Sequence, residues 1–384
     1  MYSSSNVDMA STIHSFKVDG MMLRYSLFVP KLYNFCKSLG FEAGKIMPSR
    51  AFCSDESQGY PIILIAKHFG TFPFNHGRVG GIVSTDRHGP HAHHGKDLVI
   101  INASHVGFDP SNNTFGIYRR LQTENHENTP TCGKISHVIE WYLQEYNFAC
   151  ENIFLEKKNN RYLITIDNQI LNKDKKEGLF LNIERMVELD RNGKPCPEEV
   201  HSISRSYIAS SELKDLFGKS AWNDSEPVSI GKMLKPELFS FRRHIEGDVE
   251  GKSHLEINLL NVMPWIVTSP APLLTAAQVN TQVEFDRTFR TIIKEPSYRN
   301  KKILYIAGIH IDISPAVGQI FPLTKFLPWA AYIQQEDGSH MILEQKELMQ
   351  RLNEQSTENL DQINLEDAIH IMEDATEVKI PFPL

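Results

Sequence analysis

Three residues far apart in the chain carry the side chains of a metal site: Cys53, His105 and Cys132. Two thiolates and one imidazole suit zinc and leave a fourth position for water. CSDE at 53–56 places Asp55 two residues after the first thiol. SHVG at 104–107 places His105 at the carboxyl end of an apolar run, and TCGK at 131–134 places Cys132 at the start of a helical pattern. A helix N-terminus favours a thiolate, and the carboxyl ends of strands are where α/β sheets gather their sites. The separations of 52 and 27 residues include no tight Cys-x-x-Cys pair. Spacing alone therefore leaves open a second reading, with both cysteines as buried apolar side chains and His105 as a packing or capping residue.

Other groups compete for the same role. His68, His76, His91, His93 and His94 cluster among glycines, where they either form another metal site, line a pocket or face solvent. His310 and Asp312, in KKILYIAGIHID, echo the strand-then-histidine pattern of KDLVIINASHVG. GRVGG is not a Gly-x-Gly-x-x-Gly fingerprint and no Walker A motif is present, so no nucleotide cofactor is expected.

The elements that would position these residues read as an α/β fold, a mostly parallel central sheet flanked by helices. LFVPKLYNFCKSLGFEAG has apolar residues at helical spacing and ends on glycine, inside an N-terminal helical cap over residues 1–50. YPIILIAKHFG at 60–70 and KDLVIINASHVG at 96–107 begin with or contain short continuous apolar runs, which suit strands buried on both faces. CGKISHVIEWYLQEY at 132–146 has helical periodicity. ACENIFLEKKNNRYLITIDNQIL holds one or two further strands, and residues 301–312 another. With no clean linker, one domain over 1–330 is preferred to two. Residues 331–384, with twelve acidic and three basic side chains, read as an acidic helical appendage.

Composition narrows the function. The chain has 384 residues, is 41% hydrophobic and 23% charged, and carries a formal charge of -7. The charge argues against a nucleic-acid backbone binder. No run of eighteen apolar residues suggests a membrane span, and the N-terminus lacks the pattern of a secretory signal. Five widely spaced cysteines do not make a disulfide framework, and reduced thiols in a cytoplasmic protein are the expectation.

From about residue 45 to 330 the chain resembles the low-CO2-inducible B/C proteins, a carbonic-anhydrase-like group related to the β class. The motifs that carry the resemblance are CSDE, HFGTFPFNHGRVGG, HAHHGKD, SHVGFDPSNNTFGIYRR and TCGK, and, less sharply, FRRHIEGD and KKILYIAGIHID. The ordinary β class keeps its second cysteine in an H-x-x-C motif. Here no cysteine lies at 106–108, and the long gap to Cys132 is a feature of the low-CO2-inducible group.

The resemblance implies a β-carbonic-anhydrase-like fold, zinc on Cys53, His105 and Cys132, and hydration of CO2 to bicarbonate as the activity. It also implies a homodimer, and a role for Asp55 either as hydrogen-bond acceptor for the zinc-bound water or as a ligand that closes the site. In the Cys-x-Asp-x-Arg motif of β-type sites an arginine holds that aspartate. Ser57 occupies the arginine position here, so the guanidinium must come from Arg50, Arg78, Arg119 or Arg120. Arg119, which follows the His105 loop, is the expected partner. Three functions compete: a CO2 hydratase, a small-substrate zinc hydrolase, and a zinc-binding homologue with little turnover that acts as a scaffold through its acidic end.

Overall fold

Strand β2 (Asp97–Asp109) runs through the centre of the fold and is buried along nearly its whole length. The computed structural model describes residue 13 and residues 15–78, 80–83, 97–121, 125–172, 174–224, 226–245 and 252–381. These divide into two compact units, one of residues 16–132 and 281–384, the other of residues 133–280 with the described residues before 16. The three candidate ligands all belong to the first unit.

The first unit is built from helix α1 (Tyr25–Ser38), β1 (Ile46–Ala51), helix α2 (Gly59–Phe69), β2, β3 (Ile117–Arg119), β4 (Ile303–Ile313), β5 (Leu323–Gln334), β6 (His340–Glu344), helix α3 (Gln345–Asn353) and helix α4 (Leu365–Glu373). Its eight-stranded sheet has the order Leu23–Arg24, β5, β4, β2, β1, Phe74–Asn75, with β6 on β5 and Thr114–Phe115 on β2. β4, β2, β1 and Phe74–Asn75 run parallel, whereas β5 is antiparallel to β4, to β6 and to Leu23–Arg24. The expected α/β class is present, but the sheet is mixed and its parallel character is confined to the half that carries the candidate ligands.

Alternation along the central strands sorts their side chains onto two cores. Val99, Ile101, Ala103, Leu304 and Ile306 pack with α1, α2 and α3 through Phe28, Leu32, Ile65 and Leu348. Leu98, Ile100, Ile303 and Tyr305 pack on the other face with Phe285 and Ile292. His105 continues the odd-numbered set of β2, so it points to the α1–α2 side.

Two expectations change here. Residues 59–69 form a helix, not a strand. Leu64, Ile65, His68 and Phe69 are buried at helical spacing, Pro61 lies in the first turn, and Gly70 caps the end with a left-handed φ of 74° and an N–H bond to the Ala66 carbonyl. A helix apolar on almost every side has the same composition as a doubly buried strand. The boundary at residue 330 falls inside β5, and Leu343, Leu348 and Leu352 belong to the core. The segment after 330 therefore completes the sheet and covers α1. Only α4, which has no buried residue, matches the expected solvated helix.

The second unit contains helix Gly133–Glu151, as the periodicity predicts, and an antiparallel five-stranded sheet. The strands expected after residue 149 are Ile153–Lys158 and Arg161–Asp167, paired as a hairpin. Among the described residues no helix is long and apolar enough to cross a membrane.

Candidate metal centre

β1 ends at Ala51 and delivers Cys53 into a turn. Asp55 then caps the 3-10 turn Glu56–Gln58 by accepting the Ser57 backbone N–H at 3.1 Å, and α2 follows. His105 comes from β2 opposite His310 of β4. Cys132 follows the pairing of β3 with Asn128–Pro130 and directly precedes helix Gly133–Glu151.

Backbone bonds anchor the Cys132 segment to β2. Gly107 N–H donates to the Thr131 carbonyl at 2.9 Å, Thr131 N–H to Gly116 at 2.9 Å, and Gly116 N–H back to Gly107 at 2.8 Å. This closeness requires glycine at 107, because a Cβ there would lie 2.5 Å from the Ile117 carbonyl oxygen and 3.1 Å from Thr131 Cβ. Gly77 plays the same part beside Cys53, where a Cβ would meet the Phe52 backbone N at 2.5 Å.

The result is one cluster. The ligand atoms of Cys53, His105 and Cys132 all lie within 4.8 Å of one another, and the two sulfurs are 3.6 Å apart. All three residues are buried. His105 Nδ1 faces Asp312 Oδ2 at 3.0 Å, and among the described residues its buried Nε2 has no oxygen or nitrogen partner, only the two thiols. A buried polar nitrogen without a partner is costly; beside two thiols it has the character of a metal ligand. The donor set and its spacing thus fit a zinc ion.

The electrostatics are those of a cation site. The Cys132 S–H holds the Cys53 thiol well below its usual pKa; burial opposes this, and His105 and the Gly80 N–H assist. Cys132, as donor in that bond and buried, is pushed up. Burial works against a protonated His105, but the neighbouring thiol pair and the Asp312 carboxylate outweigh it and raise its pKa.

Asp55 pairs with Arg120, not with the expected Arg119. Arg120 Nη2 lies 3.1 Å from Asp55 Oδ2, its Nε donates to Thr129 Oγ1 at 2.6 Å, and its other terminal nitrogen meets Glu56. Arg119, at the end of β3, sends its guanidinium to the Pro315 carbonyl. Neighbouring residues of an extended segment point to opposite sides, so only one of the two arginines reaches Asp55. Burial pushes the Asp55 carboxyl up, but the His105 charge, Arg120 and the Ser57 N–H together hold it below the usual carboxylate value. Arg50 lies by the Phe52 ring.

His68 and His76 are apart from the cluster. His68 is buried against Asn359, and His76 against Ser49 Oγ at 2.6 Å. Burial lowers their pKa values to about 4 and about 3 respectively. His91, His93 and His94 lie outside the described residues. Asp312, Ser57 and Gln58 are the site residues that sequence reasoning undervalued or missed. Ser57 Oγ and Gln58 Nε2 both donate to Asp312 Oδ2, at 2.9 and 2.8 Å. The strand-histidine echo at 310–312 was the available signal.

No family model and no curated protein matches the sequence. Among solved structures, the chain is similar in fold to a homolog of the limiting CO2-inducible protein LCIB. The structure so matched is that of PtLCIB4, a homolog of the limiting CO2-inducible protein LCIB, with a TM-score of 0.51 over 88% of this chain and 98% of that one, at 12% identity. A point mutant of the same protein matches equally well, with a TM-score of 0.51 and 12% identity over the same shares of both chains. At this identity the likeness is one of fold.

Proposed function

We propose that the protein is a zinc protein with a carbonic-anhydrase-like centre that hydrates CO2 reversibly. The observation that carries this reading is the Cys53–His105–Cys132 cluster, with ligand atoms within 4.8 Å, accompanied by the Asp55–Arg120 pair. Zinc bound there would supply Lewis acidity, which makes water a nucleophile near neutral pH. The chain's own contribution is Asp55. Its carboxylate is held by Arg120 and the Ser57 N–H, remains ionised, and keeps lone pairs free to accept a proton donor. An acceptor fixed in this way orients the attacking water.

One observation favours a second reading, a zinc centre with little turnover. Ser57 stands where the β-type motif has arginine, and Arg120 divides its charge between Asp55 and Glu56. Stopped-flow CO2 hydration by protein with measured zinc content, from about pH 6 to about pH 9, decides between them. A rate well above the uncatalysed reaction is expected, and none above it at full zinc occupancy would leave the low-turnover reading. A scaffold role through residues 331–384 would rest on α4 alone, since the earlier part of that segment is core. The homodimer belongs to the same proposal, and light scattering at micromolar concentration checks it.

A further inference from the structure

Asp312 lies on a different strand from all three ligands, two residues beyond the histidine that faces His105 across the sheet. It is fully buried, and no lysine or arginine pairs with it among the described residues. Four donors converge on it instead. Oδ2 accepts from His105 Nδ1 at 3.0 Å, Ser57 Oγ at 2.9 Å and Gln58 Nε2 at 2.8 Å, and Oδ1 accepts from Thr324 Oγ1 at 3.1 Å. A carboxylate so enclosed can only accept, so each neighbour is forced to present a proton.

The constraint extends one residue further. Gln58 Oε1 lies 2.5 Å from His310 Nδ1. A flipped amide would turn Oε1 toward Asp312 Oδ2, two acceptors in contact. The observed orientation instead lets His310 Nδ1–H donate to Oε1 while Nε2 donates to the carboxylate. The His310 ring is held between Tyr25 and Phe52, with centroids 4.9 and 4.6 Å away. It therefore fixes the amide in place without joining the cluster.

We infer that Asp312 is the positioning residue of the metal centre: it holds the Nδ1–H of His105, commits Nε2 to the metal, and is itself oriented by Ser57, Thr324 and the Gln58–His310 pair. This rests on the zinc reading above and assigns that site a support delivered by β4. A carboxylate behind a ligating imidazole raises the basicity of the ligand, and losing one costs about 10–100-fold in metal affinity.

Zinc affinity by competition with a chromophoric chelator, with nitrogen-15 correlation spectra of the histidine rings, tests the assignment on the full chain. Asp312→Asn removes the charge and keeps an acceptor oxygen for His105 when its NH2 turns to the Thr324 hydroxyl, which can accept, so affinity should fall about tenfold, the low end of that range, with the Nδ1 proton retained. Asp312→Leu should cost about a hundredfold and shift the His105 Nδ1–H resonance, which loses its acceptor. Gln58→Met, the milder variant should Asp312→Leu fail to fold, should weaken binding in the same direction. Unchanged affinity in folded Asp312→Asn and Gln58→Met overturns the inference. If the unaltered protein takes up no zinc, the zinc reading falls. With no metal to commit Nε2 to, the assignment falls with that reading, whereas zinc uptake with unchanged affinity in the variants overturns the assignment alone.

Discussion

His105 and His310 occupy matched positions on neighbouring parallel strands, both fully buried and on the same face of the sheet. Their surroundings differ. His105 meets two thiols and a carboxylate, and its affinity for a proton is raised. His310 meets Tyr25, Phe52 and Phe326, with ring centroids 4.9, 4.6 and 5.7 Å away, and burial drives its pKa well below the ordinary histidine value. The same residue type on the same scaffold becomes a candidate ligand or a neutral packing group according to what neighbouring elements bring to it. The turn after β1 and the segment before Cys132 bring sulfur to one; α1 brings an aromatic ring to the other.

The largest effect that would sharpen this contrast is on metal content. His105→Ala, Cys53→Ser and Cys132→Ser should each lose stoichiometric zinc, whereas His310→Phe should keep it. Elemental analysis of the purified variants checks this, and full occupancy in His105→Ala would erase the distinction. Next comes packing on the His310 side. Phe326 is fully buried, with its ring centroid 4.1 Å from that of Phe28. Phe326→Ala should cost about 3–5 kcal/mol in denaturant unfolding, with zinc stoichiometry intact in the folded fraction.

On the His105 side, Asp55→Asn should retain zinc and lower CO2 hydration about a hundredfold, the low end for a positioned acid–base group. An amide presents a donor where an acceptor is needed. A rise in activity instead would mean that Asp55 had been blocking the fourth position.

A smaller effect concerns pH. His68 and His76, like His310, are buried and held below the ordinary histidine value, at about 4 and about 3. Their native pKa values lie under the unfolded value, so the unfolded chain binds protons first as pH drops. The stability they contribute is complete above about pH 6.5. It is lost as pH falls from there towards 4. Melting temperature should decline over that window, and the decline should be shallower in a His68→Gln, His76→Gln double variant. The smallest effect is expected far from both histidines. Met372, 76% exposed on α4, should tolerate serine within about 0.5 kcal/mol.

Residue type and local pattern exposed some parts of this molecule and hid others. The three candidate ligands were legible through the motifs that carry the resemblance, since spacing alone left both cysteines readable as buried apolar side chains and His105 as a packing residue. Their support was not. Asp312 reaches His105 only through the register of β4 against β2, a pairing across 207 positions that periodicity does not encode. α2 read as a strand because PIILIA is apolar without interruption, although Pro61 near its start and Gly70 after its end are helix brackets. Arg120 and Arg119 are adjacent, and choosing between them needs the direction of each side chain. The segment after 330 looked solvated because its charges outnumber its few leucines, yet those leucines are the residues that α1 and the sheet bury.

Gly107 has a consequence for how such sites are recognised in other chains. The Gly107–Gly116–Thr131 bonds close the backbone onto itself, so the excursion from His105 to Cys132 is pinned at both ends. Residues added at the Ser111–Asn113 turn would lengthen that excursion without moving either ligand, and each doubling of a flexible loop costs only about 0.6 kcal/mol. The distance between histidine and second cysteine along the chain is thus a free variable of this architecture. The glycine two places after the histidine is not free in the same way, because the backbone that crosses there leaves no room for a Cβ.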